Sequence, residues 1–232
     1  MLSVIIPTLN AESHLPKLLA QLAAEGEHHV DEIIVSDGGS TDTTLAIALS
    51  TQTKLAETRI AQIRIAIGCK GRGWQLARGA NWASGDWLLF LHADTQLGDG
   101  WLEEIQHHIN HFPTRAGYFQ FKLDADGFWP RWIEFCVRLR CVCLALPYGD
   151  QGLLIRRDIY KAAGGYPDWQ LFEDVQIVRT LGRRRLRSLQ ANAITRAERY
   201  EKQGYRHRSL GNLRLLMRFL LGANPDDLSK QY

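Results

Sequence analysis

The stretch GDWLLFLHADT, residues 85–95, decides the fold of this chain. It holds a continuous apolar run at 87–91 that stops at His92, Ala93 and Asp94. A short apolar run with glycine before it and polar residues after it is typical of a strand buried on both faces of a sheet. The histidine and the carboxylate would then lie at the carboxyl end of that strand. A charged group at such an end needs either solvent or a ligand.

Strand and helix patterns alternate before this stretch. Apolar runs at 3–7, 32–37 and 60–67 are each followed by a segment with helical character, at 11–24, 40–49 and 73–83. This alternation predicts an α/β fold with a mostly parallel open sheet flanked by helices. After residue 97 the pattern changes, and an alternating strand at 117–123 predicts a smaller antiparallel element.

Ligands of open α/β sheets bind beyond the carboxyl ends of the strands. Three of those ends, at 7–10, 37–40 and 92–95, carry polar side chains, and two of them carry a carboxylate. We therefore expect the functional site at this edge of the sheet.

Length and composition favour one folded domain. The chain has 232 residues, 45% hydrophobic and 23% charged, which suits a sizeable core. The net charge of +3 is mild, but residues 183–208 are strongly basic. No zinc-finger, RRM or helix-turn-helix pattern accompanies them, so nucleic acid is disfavoured, whereas phosphate or an anionic membrane surface fits.

Four cysteines without CxxC spacing indicate free thiols in a reducing compartment. The beginning of the chain has the pattern of a first strand and lacks the features of a signal peptide. No apolar run reaches the ~18 residues of a membrane span. We therefore expect a cytoplasmic protein.

A glycine-rich segment, GCKGRG at 68–73, precedes a helical pattern. Its spacing is not GxGxxG and it follows the third strand, which disfavours a dinucleotide-binding oxidoreductase. Backbone amides near a helix start, together with Lys70 and Arg72, could still hold a diphosphate. Asp37, which precedes Gly38 and Gly39, could accept hydrogen bonds from a base or ribose, or could be an ordinary turn aspartate.

Asp94 is the sharpest candidate for chemistry. A divalent cation that bridges two phosphates needs hard oxygen ligands and open coordination positions. On an extended backbone His92 would point the same way, so it is a candidate second ligand or phosphate contact. Further along the chain, Glu173 and Asp174 open a helix, downstream of Gly149-Asp150-Gln151-Gly152. A carboxylate across a cleft from a metal–diphosphate site is what sugar transfer requires.

These motifs, taken in order, resemble those of the family 2 glycosyltransferases. The matching stretches cover nearly the whole chain: VIIPTLN at 4–10, SDGGSTDTT at 36–44, GRGWQLARGANWASGDWLLFLHADT at 71–95, and YGDQGLLIRRDIYKAAGGYPDWQLFEDVQIVRTL at 148–181. The chain most closely resembles the compact branch called selenodomain-associated transferase 2. The resemblance implies the GT-A nucleotide-sugar fold over one domain, with a nucleotide-sugar half at 1–98, an acceptor half at 99–205 and an amphipathic tail at 206–232.

The resemblance also implies roles for particular residues. The nucleotide-sugar pocket would be formed by Pro7, Thr8, Asn10, Asp37, Gly71, Arg72 and Asp94. Asp94 would hold a divalent metal, Mn²⁺ or Mg²⁺, with His92 as the second candidate ligand. Asp174 would be the catalytic base, with Asp150, Gln151 and Glu173 on the acceptor side. Relatives commonly have a second acid where His92 stands, and Asp-Asp-Gly-Ser where this chain has residues 37–40.

The expected reaction is an inverting transfer from a nucleoside-diphosphate sugar to an acceptor hydroxyl or carboxyl. Two rivals stay open. A sugar nucleotidyltransferase would carry a glycine- and arginine-rich loop after the first strand, which residues 8–10 do not provide. A non-catalytic nucleotide-sugar-binding module would keep the fold without the chemistry.

The segment FWPRW at 128–132 and the basic, apolar tail could lie on the inner face of a membrane and meet a lipid-like acceptor. Packing in the core, or in a homodimer, explains the same apolar residues. Peripheral membrane contact and dimerisation therefore both stay open.

Overall fold

The computed structural model describes residues 1–26, 29–56 and 62–231, and of residues 54–56 it describes the backbone alone. Within these ranges the strands are β1 (Leu2–Thr8), β2 (Glu32–Asp37), β3 (Gln62–Ile67), β4 (Trp87–Phe90), β5 (Gln96–Leu97), β6 (Ala116–Leu123), β7 (Leu153–Arg156) and β8 (Leu186–Thr195). The helices are α1 (Leu15–Glu25), α2 (Thr44–Ala56), α3 (Arg72–Trp82), α4 (Trp101–His111), α5 (Phe128–Leu144), α6 (Arg157–Ala162), α7 (Glu173–Leu181), α8 (Glu198–Gln203), α9 (Tyr205–Leu220) and α10 (Pro225–Ser229).

The described strands form one sheet in the order β3-β2-β1-β4-β7-β6-β8-β5. The first four strands of this order are parallel to one another. β7 runs antiparallel to both β4 and β6, β8 is parallel to β6, and β5 is antiparallel to β8. The predicted α/β class, an open sheet flanked by helices, is confirmed. The antiparallel strands extend the same sheet, which is therefore more mixed than the first hundred residues suggest.

Both faces of the sheet are buried because successive side chains of a strand point to opposite faces. On β1, Val4 and Ile6 join the core beneath α1 and α4, whereas Ile5 joins the core beneath α3 and α7. A strand covered on both sides is apolar at every position, which accounts for the continuous apolar runs.

The C-terminal helices belong to the second of these cores. Leu216 and Phe219 of α9 and Leu228 of α10 are buried there, beside Val175 and Val178 of α7. The segment expected as an amphipathic tail is therefore packed onto the face of the sheet that carries α3 and α7.

Several elements differ from the sequence-based expectations. β4 ends at Phe90, and residues 92–95 form a turn in which the Thr95 N–H donates to the carbonyl of His92 at 3.1 Å. β5 and β8 were not predicted, because a two-residue strand has no periodicity and β8 begins inside the basic run. Residues 60 and 61 of the predicted third strand lie outside the described residues.

Candidate functional site

The three polar strand ends lie side by side. In the sheet β2 and β4 flank β1, so the carboxyl ends of β2, β1 and β4 meet at one edge. Thr8 and Asp37 are direct partners in the parallel register of β1 and β2. The predicted grouping of these ends is therefore confirmed.

The carboxylate of Asp37 is completely buried and accepts four hydrogen bonds. Oδ1 accepts from the hydroxyls of Thr8 (2.9 Å) and Ser40 (2.5 Å), and Oδ2 accepts from the N–H groups of Gly39 and Ser40, both at 2.8 Å. Burial raises the pKa of Asp37, but these hydrogen bonds outweigh burial and hold the pKa below its usual range. Asp37 shapes the turn after β2, and a base or ribose would have to share an oxygen that is already bonded.

Asn10 joins the same turn to the end of β1. Its φ of 51° is left-handed, which asparagine tolerates better than most residues. Its backbone N–H donates to Ser40 Oγ at 2.9 Å, and its Oδ1 accepts from the Thr41 N–H at 2.9 Å. One wall of the candidate site, at the carboxyl ends of β1 and β2, is thus formed by Pro7, Thr8, Asn10 and Asp37. Pro7 is half-buried within β1.

Two residues of α3 contact this wall and were missed by the sequence reasoning. Gln75 is buried, and its Nε2 donates to the carbonyls of Thr8 (2.6 Å) and Ser36 (3.0 Å). Arg78 donates to the carbonyl of Asp37 at 3.0 Å and to Ser36 Oγ at 3.2 Å. A glutamine on the buried side of a helix was the available signal, since such an amide needs partners.

His92 is held by the loop before β7. Its Nδ1 lies 3.0 Å from Oδ1 of Asp150. Burial lowers the pKa of His92, but the bond to Asp150 outweighs burial and raises it, while the same bond lowers the pKa of Asp150 against the effect of burial. Residues 92–95 form a turn, so the extended backbone on which His92 and Asp94 were expected to point the same way is not present.

The donor set at the end of β4 fits a divalent cation with few protein ligands. Asp94 is half-buried, and no described residue forms a hydrogen bond or ion pair with its carboxylate. Within the described ranges no three or more His, Cys, Asp or Glu side chains are grouped so as to hold a metal. A single free carboxylate leaves open coordination positions for phosphate oxygens and water, which Mg²⁺ and Mn²⁺ accept.

Arg72 bridges α3 and α7. Its Nε pairs with Oε1 of Glu173, and its Nη2 lies 3.2 Å from Oδ2 of Asp174. Burial lowers the pKa of Arg72, but the two carboxylates outweigh burial and raise it. Burial raises the pKa of Glu173, whose Oε2 is buried with no hydrogen-bond partner among the described residues. Gly71, at φ 140°, directly precedes α3, and the guanidinium of Arg72 is paired with the two carboxylates.

Asp174 is almost completely buried at the first turn of α7, where the helix dipole favours an anion. Its Oδ2 accepts from the Gly149 N–H at 2.7 Å, and its Oδ1 accepts from the Val175 N–H at 2.7 Å. A cavity next to it is lined by His92, Tyr148, Gly149 and Asp174, among others. His92, the second metal candidate, therefore shares this cavity with Asp174, whereas Asp94 is not among its lining residues.

Gln151, expected on the acceptor side, has a side-chain amide that is bonded inside the protein. Its side chain is buried, Nε2 donates to the carbonyl of Phe119 at 3.0 Å, and Oε1 accepts from Arg140 Nη2 at 3.0 Å and contacts Cys141 Sγ at 3.3 Å. With both ends of the amide bonded inside the protein, Gln151 supports the loop that carries Asp150.

No helix among the described residues combines the length and apolarity needed to cross a bilayer.

The chain is similar in sequence to a known protein family and its members. The family description "Glycosyl transferase family 2" matches residues 3–141. A PGL/p-HBAD biosynthesis glycosyltransferase of Mycobacterium tuberculosis (strain ATCC 25177 / H37Ra) is 40% identical over 175 residues, covering 72% of this chain and 63% of that protein. The chain thus spans less than two thirds of the length of this relative.

Solved structures share the fold at low sequence identity. Staphylococcus aureus TarS 1-349 in complex with UDP-GlcNAc has a TM-score of 0.64 and 19% identity, covering 84% of this chain and 58% of that one. Mycobacterium tuberculosis glucosyl-3-phosphoglycerate synthase, solved with Mn²⁺, UDP and phosphoglyceric acid, has a TM-score of 0.58 and 19% identity, covering 84% and 69%. The motifs, the mixed sheet and the match over more than half of the sequence agree. The chain belongs to glycosyl transferase family 2.

Proposed function

We propose that this protein transfers a sugar from a nucleoside-diphosphate sugar to an acceptor hydroxyl or carboxyl, with inversion at the anomeric carbon. The observation that carries the proposal is the single cavity bordered by His92, from the end of β4, and by Asp174, from the start of α7. The relatives named as glycosyltransferases, and the UDP-GlcNAc bound to TarS, support a nucleotide-sugar donor.

The donor is proposed to lie along the edge where β2, β1 and β4 end. Pro7, Thr8, Asn10 and Asp37 would shape the pocket for the nucleoside, and Gly71 and Arg72 would meet the diphosphate. Arg72 has the chemistry for this because a guanidinium binds phosphate oxygens with two parallel donors.

A divalent metal, Mn²⁺ or Mg²⁺, is proposed to be held by Asp94, with His92 as a second candidate ligand through its Nε2. When bound, the metal would neutralise charge that builds on the departing diphosphate. The Mn²⁺ in the complex of glucosyl-3-phosphoglycerate synthase supports this part of the proposal.

Asp174 is the proposed base. The acceptor oxygen forms a bond to the anomeric carbon while the bond from that carbon to the diphosphate oxygen breaks, and its electron pair leaves with the nucleoside diphosphate. The acceptor proton passes to a carboxylate oxygen of Asp174. A diphosphate that draws Arg72 towards itself would release the Oδ2 that Arg72 now contacts. Asp150 and Glu173 would border the acceptor.

One observation favours the alternative of a binding module without catalysis: both carboxylate oxygens of Asp174 already accept hydrogen bonds from backbone N–H groups. Hydrolysis or transfer of a donor in the presence of Mn²⁺ would decide against the module.

Asp174→Asn tests the assignment. The amide cannot take a proton, so turnover should fall on the order of a hundred- to ten-thousand-fold, while thermal stabilisation by the nucleotide sugar persists. The measurement is a panel of nucleotide sugars with Mn²⁺, scored by nucleoside diphosphate release and by melting temperature. Asp168→Asn, an exposed carboxylate six residues earlier, is the matched control. Unchanged turnover in Asp174→Asn would remove Asp174 as the base.

A further inference from the structure

Helix α5 exposes a continuous apolar stripe. Its members recur at intervals of three and four residues, which places them on one face of a helix. They are Phe128, Trp132, Phe135, Leu139 and Val142, each between 48% and 70% exposed. The rings of Phe128 and Trp132 stack at 6.2 Å, and those of Trp132 and Phe135 meet at 5.8 Å. A soluble protein seldom exposes such a contiguous patch without a partner.

Helix α9 lies against α5 and adds a second exposed stripe. The guanidinium of Arg206 sits 5.4 Å from the ring of Trp129, which joins the starts of the two helices. Leu210, Leu213 and Met217 are exposed on α9 at the same three- and four-residue spacing. The opposite side of α9 is buried in the second core, so this helix is fixed with its apolar stripe outward.

The charged residues of α5 and α9 are almost all basic. Together α5 and α9 contain seven arginines and one acidic residue, Glu134. Glu134 is already paired with Arg131 at 2.7 Å. Arg138 and Arg214 are exposed, beside the stripes. An occupant of this surface must therefore be apolar in part and anionic in part.

We propose that the α5–α9 surface, the two exposed stripes with their flanking arginines, docks on a membrane containing anionic lipid. Trp and Phe side chains enter the boundary between headgroups and acyl chains, and arginines pair with lipid phosphates at the same level. A second copy of the chain is the poorer occupant, because it would bring a like-charged arginine-rich surface against this one.

The docked surface lies beside the proposed acceptor side. A groove of about 560 Å³ runs between α5 and strands β6 and β8. Phe135 and Val142 of the stripe line it, and so does Gln151, next in the chain to Asp150. An acceptor with an apolar chain could thus pass from the bilayer towards the cavity of Asp174. This link rests on the proposed function, whereas the membrane contact does not.

Vesicle flotation of the full chain tests the proposal, with phosphatidylcholine vesicles compared with vesicles that also contain phosphatidylglycerol. The protein should float with the anionic vesicles and be released as salt screens the arginines. Trp132→Ser/Phe135→Ser should weaken the partition coefficient roughly tenfold or more, because the apolar insertion is lost. Arg138→Glu/Arg214→Glu should abolish the preference for anionic vesicles.

Matched controls show whether flotation depends on the α5–α9 surface or on any exposed apolar or basic side chain. Trp82→Ser/Leu49→Ser removes two exposed apolar side chains elsewhere, and Lys17→Glu/Lys161→Glu reverses two exposed charges elsewhere. Neither should change flotation, and melting temperatures confirm folding in every variant.

Failure of the parent protein to float, or equal loss in the controls, overturns the proposal. A parent dimer that the stripe variant converts to monomer in sedimentation, without any flotation, makes the second copy the occupant and also overturns it. Donor turnover, measured separately, tests the proposed function independently.

Discussion

Two buried carboxylates stand at opposite ends of β2. At its start, Glu32 accepts hydrogen bonds from the hydroxyls of Ser3 (2.6 Å) and Ser84 (2.7 Å) and pairs with Arg64 at 3.2 Å. At its end, Asp37 accepts the four bonds described above. Burial raises the pKa of both groups, but the hydrogen bonds outweigh it, and the pKa of Glu32 falls to about 2. Both residues stay charged inside the protein because donors replace their water.

This depressed pKa predicts a pH dependence of stability. A carboxyl group with a lowered folded-state pKa contributes stability above its ordinary pKa of 4.5 and loses it as the pH falls towards about 2. For Glu32 the contribution is on the order of 3 kcal/mol. Glu32→Gln should therefore be destabilised at neutral pH and lose less stability on acidification than the parent does.

Urea unfolding at a series of pH values measures the effect. Glu103→Gln, which changes an exposed glutamate of α4, should behave as the parent does. Parallel pH profiles for Glu32→Gln and the parent would show that the bonds to Glu32 do not depend on its charge.

At the scale of elements, α5 holds the loop that precedes β7. Nε of Arg140 donates to the carbonyl of Leu146 at 2.9 Å, and its guanidinium lies 3.7 Å from the ring centre of Tyr148. The same side chain bonds Gln151. Between these anchors lie Gly149 and Asp150, which contact Asp174 and His92. Helix α5 thus positions Gly149, which lines the cavity, and Asp150, which holds His92, although no residue of α5 lines the cavity itself.

Arg140→Met should therefore impair turnover more than it impairs folding. Loss of its hydrogen bonds is expected to cost about 1–3 kcal/mol of unfolding free energy, and displacement of the loop should lower turnover roughly tenfold to a hundredfold. Donor turnover and urea unfolding are measured on the same preparations. Arg184→Met, at an exposed arginine just before β8, serves as control, and equal turnover in the two variants would contradict the positioning role of Arg140.

At the scale of the whole molecule, α9 packs against the residues that directly precede α7. The rings of Phe219 and Phe172 stack with centres 4.8 Å apart, and Trp169 meets Phe219 edge-on at 6.0 Å. Phe172 has a φ of 65°, a conformation that costs a non-glycine residue on the order of 1–3 kcal/mol and persists only when packing enforces it. Phe172 directly precedes Glu173 and Asp174, so the packing of α9 helps to orient the first turn of α7.

Phe219→Ala should lower the free energy of unfolding by about 3–5 kcal/mol, the usual cost of removing a buried aromatic ring. Leu221→Ala, at an 83% exposed position two residues later, should change it by less than about 0.5 kcal/mol. Denaturant unfolding followed by tryptophan fluorescence gives both values. A small effect of Phe219→Ala would mean that α9 is peripheral to the core.

Local patterns accounted for most of the first hundred residues. Continuous apolar runs predicted β1, β2 and β4, because a strand covered on both faces is apolar at every position. The parallel order then placed three polar strand ends together without any coordinates. Patterns of this kind cannot reveal β8, whose partners β6 and β5 lie 70 or more residues away, or the pairing of Arg72 with Glu173 and Asp174, about 100 residues apart.

The sequence by itself determined the α/β class, the edge of the sheet where three polar strand ends meet, and Asp94 as a candidate, because these follow from periodicity and short motifs. Asp174 became the candidate base through the resemblance to family 2 glycosyltransferases. Only the tertiary structure decided what each polar group touches. In the folded chain residues 92–95 form a turn and His92 contacts Asp150. Gln151 is buried, and the apolar stripe of α5 is exposed. Hydrogen-bond partners and burial depend on elements that are distant in the chain. A local sequence pattern does not determine which distant elements come into contact.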